Sequence, residues 1–381
     1  MAHYSAPRTV RFAGTFRPPS VSGHRIVCSD KRLYSFGGYA PHDNNENEPL
    51  VQLWEFHLYR RTWACVGLKG EVPRNVVSSA MALHGNRVLI LIGGTGIPFG
   101  QHRSGDVYSC DLLALDDDGA VNWVRWPTCG EAPGELYGQA IIIDGDFLYM
   151  MGGTNGIEYS NRVYRLNIEN ACWEHLRSGS PAELVPPPRC RHEIAVFSGF
   201  LFVLGGGTKY TVYGFQAIHV FEVSNLTWGI LPTIGWFNPS TQQVEWPRPR
   251  RCHSAVQTAC STWAVIAGGI DAYGEVFFDI WKLHLPSLSW YRYDRGLPQR
   301  IYFHSAAVTP GGRMYTFGGI YNKALELRTC RVIALDLVVP SLQEIALEMV
   351  MLMYPGIAQY SEDDLNRSEL PQFIFAKYFC D

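Results

Sequence analysis

The chain has 381 residues, 47% hydrophobic and 13% aromatic but only 18% charged, enough apolar material for a core larger than one ordinary domain needs. A formal charge of -3 leaves no broad basic surface and excludes a nucleic-acid partner. No stretch approaches the ~20 apolar residues that cross a bilayer, and the opening MAHYSAPRTVRF lacks the apolar core of a secretory signal, so an intracellular protein with no membrane partner is expected. Ten cysteines lie scattered without any C-x-x-C, so neither a zinc site nor a disulfide framework is expected, and no cofactor is implied. The sequons at Asn225 and Asn366 then carry no meaning.

Taken in chain order, the segment Thr9–Phe16 (TVRFAGTF) reads as a strand, followed by Pro18, Pro19 and then His24. Six glycine pairs come next, at Gly37-Gly38, Gly93-Gly94, Gly152-Gly153, Gly205-Gly206, Gly268-Gly269 and Gly318-Gly319, spaced 50 to 63 residues apart. A period of that size marks a repeat architecture. Each pair ends an apolar run such as RVLILIGG or FLFVLGG, where glycine lets the backbone leave a strand through conformations that a Cβ forbids. A variable loop follows each pair, then an alternating segment: LWEFHL from Leu53, DVYSCDL from Asp106, RVYRLNI from Arg162, IHVFEV from Ile218, DIWKLHL from Asp279 and RVIALDL from Arg331. Period-two alternation with β-branched and aromatic residues predicts a strand.

A tryptophan trails five of these segments, at Trp63, Trp123, Trp173, Trp228 and Trp290, placed to wedge between neighbouring sheets. A Pro-rich turn and a further apolar strand precede each glycine run, as in PPPRCRHEIAVF from Pro186 and WPRPRRCHSAVQ from Trp246. Four strands per unit are the content of one propeller blade. In glycine pair, spaced aromatic and trailing tryptophan, residues 9–339 resemble kelch repeats. That resemblance implies an all-β, six-bladed kelch β-propeller that binds partners on the face built by the loops after the glycine pairs and the turns before the innermost strands. The sixth unit stops at Leu337 to Val339 without its tryptophan strand, and Thr9–Phe16 is expected to close the last blade in its place.

From Pro340 the pattern changes, and residues 340–381 form a separate C-terminal segment. Leu342, Ile345, Ala346, Met349, Val350 and Met353 fall on one helical stripe, with Ser341 and Glu344 spaced as a capping box. Such a helix either packs under the propeller or docks a partner. Ser341, Leu342, Ala346 and Val350 resemble the BC box by which ubiquitin-ligase receptors bind Elongin B/C, with Ala346 where cysteine is common; Ile345 and Met349 lie on the same stripe. Downstream, Leu370, Pro371 and Ile374 resemble a cullin box of the Cullin-2 type. In this order, after a kelch propeller, the two boxes resemble the kelch-domain substrate receptors of Cullin-2 RING ligases.

Arginine concentrates in the turns before two neighbouring units: Arg189 and Arg191, then Arg248, Arg250 and Arg251. Converging guanidinium groups suit a carboxylate, and receptors of the resembled family read the C-termini of their substrates. The expected degron site comprises Arg189, Arg191, Arg250 and Arg251 with His192 and His253, completed from the loops by Asn155, Lys209, Tyr210, Tyr273 and Tyr321. An arginine three residues before the recurring histidine, as Arg189 and Arg250 are, also has a structural reading in kelch repeats. The recurrence of His24, His192, His253 and His304 at one turn position points to a structural role. A propeller enzyme is the weaker alternative: no S-x-D-x-G-x-x-W box occurs, and a non-catalytic protein is expected. A kelch scaffold without a ligase role is the other.

Overall fold

The computed structural model describes residues 6–12, 14–41 and 48–353. The chain enters with β1 (Arg8–Val10) and then lays down a first antiparallel meander of β2 (Arg25–Cys28), β3 (Arg32–Phe36), β4 (Leu53–His57) and β5 (Thr62–Gly70). The second meander is β6 (Ala80–His84), β7 (Val88–Ile92), β8 (Val107–Asp111) and β9 (Ala120–Arg125). A short β10 (Cys129–Gly130) leads into the third, β11 (Ala140–Asp144), β12 (Phe147–Met151), β13 (Val163–Asn167) and β14 (Cys172–His175). The fourth is β15 (Glu193–Phe197), β16 (Phe200–Leu204), β17 (Ala217–Glu222) and β18 (Thr227–Pro232), after which β19 (Trp236–Asn238) and β20 (Gln243–Glu245) form a separate hairpin. The fifth is β21 (Ser254–Gln257), β22 (Trp263–Ala267), β23 (Ile280–His284) and β24 (Ser289–Arg292).

The last meander has only three consecutive core strands: β25 (Ser305–Val308), β26 (Arg313–Phe317) and, past the small hairpin of β27 (Ile320–Asn322) and β28 (Leu327–Arg328), β29 (Val332–Asp336). Its fourth place is taken by β1, antiparallel to β29 with Arg8 opposite Ala334 and Val10 opposite Val332. The expected N-terminal strand therefore pairs where the sixth unit lacks one, over a shorter span than Thr9–Phe16. Helix α1 (Leu342–Met353) follows.

The innermost strands β2, β6, β11, β15, β21 and β25 neighbour one another in that order, and β25 returns to β2. Outer edges are clasped as well. The end of β5 runs parallel to β9, β10 runs parallel to β14, and Ile234 bridges to Ser289 at the start of β24, so chain leaving one meander is stitched to the rim of the next. The tryptophans pack as their spacing predicts: Trp63 lies against Phe317, Trp123 against Phe36 and Trp290 against Phe215, each in the preceding meander.

The last pair shows why glycine is needed twice. A Cβ on Gly318 (φ +65°) meets His24 Cε1 of the first meander at 2.3 Å, and one on Gly319 (φ +98°) meets His304 Cβ of its own meander at 2.7 Å. Each pair is thus threaded between two turn residues, one from its own unit and one from the next.

One expectation is corrected. Cys129 and Cys172 form a disulfide, their Cα atoms 4.6 Å apart, 43 residues apart in sequence. The parallel pairing of β10 with β14 sets the two residues side by side. No local motif carries that signal.

Candidate functional site

The residue before each recurring turn position, namely Gly23, Ser78, Gly138, Arg191, Cys252 and Phe303, has a left-handed backbone with φ between 53° and 68°. Their peptide groups close a circle around the channel. Gly23 N–H donates to Phe303 O (3.1 Å), Ser78 to Gly23 (2.8 Å), Gly138 to Ser78 (2.8 Å), Arg191 to Gly138 (2.7 Å), Cys252 to Arg191 (3.1 Å) and Phe303 to Cys252 (3.0 Å). This circle holds Arg191 and Phe303 at the mouth, where the Arg191 guanidinium lies 4.2 Å over the Phe303 ring.

Below the circle sits a cavity of about 40 Å³, lined by Arg191, Cys252 and Phe303 above and by His24, His253 and His304. That is room for a few waters. Its floor is an ion pair across the channel, Arg25 Nη1 to Glu193 Oε1 at 2.9 Å, with Arg25 Nε donating to Ser79 O at 3.1 Å.

His24, His192, His253 and His304 are buried. Burial holds His24, His253 and His304 down to about 3 and His192 well below its ordinary value, so the imidazoles are neutral. Nε2 of His304 lies 2.8 Å from Ser254 Oγ. His192 and His253 belong to the wall beneath the circle and present no surface to a ligand above it.

The arginines separate into two kinds. Arg250 is fully buried, its Nη1 and Nη2 held by Asp279 at 2.6 and 2.9 Å and Nη1 also by Gly268 O at 3.0 Å. Arg189 is buried too, donating to Pro187 O and Gly205 O at 3.1 and 2.9 Å and lying 4.1 Å over Tyr213. Both depart from the expected clamp because a side chain three residues before the histidine turns into its own blade. Arg248 has carboxylate partners in Glu275 at 2.8 Å and Asp271 at 3.4 Å.

Arg191 and Arg251 are half-buried and have no carboxylate partner among the described residues. Arg251 Nη1 donates to the Thr208 carbonyl. The two cations approach one another around Cys190 and Cys252, whose thiols burial pushes up while both guanidiniums oppose the shift. They are not equivalent positions, since Arg191 aligns with Cys252 and Arg251 with Cys190.

Around them the loops after the glycine pairs contribute exposed groups. Tyr210 is 80%, Tyr273 96% and Tyr321 42% exposed. Lys209 donates its N–H to Tyr159 Oη at 2.8 Å and holds its ammonium 5.6 Å over Tyr210. Asn155 uses its side-chain oxygen on the N–H groups of Ile157 and Glu158, shaping its own loop. Sequence reasoning missed Phe303; its signal was the register, one residue before His304.

The helix forms with the expected cap: Ser341 N–H donates to Glu344 Oε2 (2.8 Å) and Glu344 N–H to Ser341 Oγ (3.2 Å). Leu347 and Met351 are buried, whereas Leu342 is 85%, Ile345 43%, Met349 53% and Met353 67% exposed; Ala346 is exposed and Val350 half-buried. Glu348 bonds Arg313 Nη1 at 2.6 Å and also Arg8, tying the helix to β26 and β1. Leu370, Pro371 and Ile374 lie outside the described residues. No helix among the described residues is long and apolar enough to cross a membrane, and none of their His, Cys, Asp and Glu side chains group in threes that could hold a metal ion.

Glycine pairs threaded between successive meanders, interleaved tryptophans and a closing N-terminal strand define a kelch β-propeller. Residues 23–243 match the KLHDC2/KLHL20/DRC7 Kelch-repeats domain. Similar chains include Kelch domain-containing protein 10 of Xenopus tropicalis, 37% identical over 96% of this chain and 87% of that one, and of Homo sapiens, 37% identical over 94% and 80%. The Drosophila melanogaster homolog is 34% identical over 93% of this chain and 61% of its own. The chain belongs to the Kelch domain-containing protein 10 family.

Proposed function

We propose that this protein is a six-bladed propeller that serves as the substrate-recognition subunit of a Cullin-2 RING ubiquitin ligase. The α1 helix binds Elongin B/C, the segment carrying Leu370, Pro371 and Ile374 meets the cullin, and the loop face captures substrate C-termini through Arg191 and Arg251. The observation that carries this reading is the position of the helical stripe. Packing under the propeller would hide Leu342, Ile345, Met349 and Met353; instead they face solvent, and the opposite side of α1, Leu347 and Met351, is buried. An apolar stripe kept in water at this cost fits a groove-binding helix. Its anchor, Arg313, begins β26, and the glycine pair that borders the loop face ends it, so the two docking surfaces sit at opposite ends of one strand.

The decisive experiment co-purifies the full chain with Elongin B/C. Complex formation by the parent chain and its loss in Leu342→Asp is expected, and failure of the parent chain to bind would leave a kelch scaffold that holds a protein partner without a ligase.

A further inference from the structure

Arg189 and Arg250 stand at the same place in successive meanders, three residues before His192 and His253, and each donates to the carbonyl of its own first glycine, Gly205 and Gly268. What completes them differs. Phe202 pairs with Val220 and Val265 with Lys282, each three residues before its first glycine, so counting back three along the third strand sets Ala217 in the register of Asp279. Asp279 grips Arg250 through both oxygens and is itself braced by Trp281 Nε1 at 2.7 Å. Ala217 offers Arg189 nothing. Arg189 is 2% exposed, and its Nη2 is sealed from solvent without a hydrogen-bond partner.

A buried guanidinium lacking a counter-charge is costly, and it persists where something supplies the anion. The place that corresponds to the Asp279 carboxylate holds no acidic side chain, and Gln216 and Ala217 beside it are exposed. It adjoins a cavity of about 820 Å³ between the fourth and fifth meanders, where Arg189, Tyr213, His219, Trp246, Trp281 and Arg292 are among the lining residues. Arg292 is matched there by Glu245 at 3.1 Å and Arg248 by Glu275 at 2.8 Å, which leaves Arg189 as the unmatched cation of the lining.

We propose that this cavity binds a carboxylate, whose oxygens stand to Arg189 as those of Asp279 stand to Arg250, with Trp246 and Trp281 receiving an aromatic or apolar group beside it. The site is separate from the loop face, because Arg189 lines this cavity and Arg191 lines the channel mouth. A carboxylate of this kind comes from a small organic acid or from an acidic residue of a peptide; both present the same group to Arg189.

His219 is an internal reporter. Burial and the Arg189 charge hold it down to about 4, so an anion seated on Arg189 raises it. The test follows His219 by NMR in the full chain with millimolar indole-3-acetate against indole-3-acetamide, and with acetyl-Trp-Asp-amide against acetyl-Trp-Asn-amide. Binding of one or both carboxylate probes but not their amides, with an upward His219 shift, is expected, and the arm that binds identifies the source. Ala217→Asp supplies the counter-charge from within, so it should raise the melting temperature and weaken probe binding by about tenfold or more. Equal binding of acid and amide, no binding of either acid, or an Ala217→Asp protein with unchanged melting and unchanged binding would each overturn the proposal.

Discussion

At Arg191 a single backbone angle decides what a side chain can do. In PRCRHE, residues 188–193, two arginines lie two positions apart, yet Arg189 turns into its blade and Arg191 onto the channel mouth, because only Arg191 has the left-handed φ of 55° that the hydrogen-bonded circle requires. The arginine cluster was legible in the sequence; its division was not, since linear proximity says nothing about direction across a left-handed turn. Arg191→Ala and Arg251→Ala should each weaken a peptide with a free C-terminal carboxylate by about 1.5–3 kcal/mol, the worth of a charge-assisted hydrogen bond. Neither should change affinity for the matching C-terminal amide. Titration calorimetry with the paired peptides reads both quantities, and equal affinity of acid and amide for the parent chain would remove the clamp.

The buried histidines make a second case at this scale. Their folded pKa values, about 3 for His24, His253 and His304, lie below the ordinary 6.5, so the unfolded chain takes up protons that the fold refuses. That stability is fully present above pH 6.5 and drains away as pH falls toward 3, at about 1.4 kcal/mol per pH unit for each histidine. Glu193, raised by burial and opposed by Arg25, works in the contrary sense but is one group against several. Unfolding free energy by denaturant should therefore drop between pH 7 and 5. In His304→Gln the drop should be shallower, Gln139 showing that glutamine is accommodated at this turn position.

For α1, the stripe was legible from i, i+3, i+4 spacing and the cap from Ser341 and Glu344, but which side faced the propeller was not. The stripe is the apolar face, and on that ground alone it should have been buried. The structure decides otherwise: Leu347 and Met351 are the buried residues, and Glu348 is held by Arg8 and Arg313, residues far away in sequence. On the proposed reading, the two faces of the element separate stability from binding. Leu342→Asp should leave the melting temperature unchanged and abolish Elongin B/C binding, because an ionised carboxylate is not tolerated in an apolar groove. Leu347→Asp should lower the melting temperature. A Leu342→Asp protein that binds as well as the parent would end the groove-binding reading of this helix.

At the scale of the whole ring, one short strand completes the last meander. β1 contributes three residues, yet it covers the free edge of β29, buries Val10 opposite Val332 in the core cluster that also holds Phe317, and positions Arg8 to meet Asp336 at 3.7 Å and Glu348 on the helix. The need for such a strand was readable from the missing tryptophan segment of the sixth unit. Its extent was not, because Thr9–Phe16 alternates throughout while pairing ends at Val10, beyond which Phe12 only packs on the core. Deleting residues 1–17 removes Val10, whose burial alone contributes about 1.5–3 kcal/mol, and leaves β29 as an open edge able to recruit other chains. The truncated protein should melt about 5 °C or more below the parent and self-associate on gel filtration. The single substitution Val10→Asp, which keeps the chain length but cannot be buried without a partner, should reproduce the lowered melt. If both variants melt with the parent, β1 does not hold the ring closed, and the sixth meander must be stable with three strands.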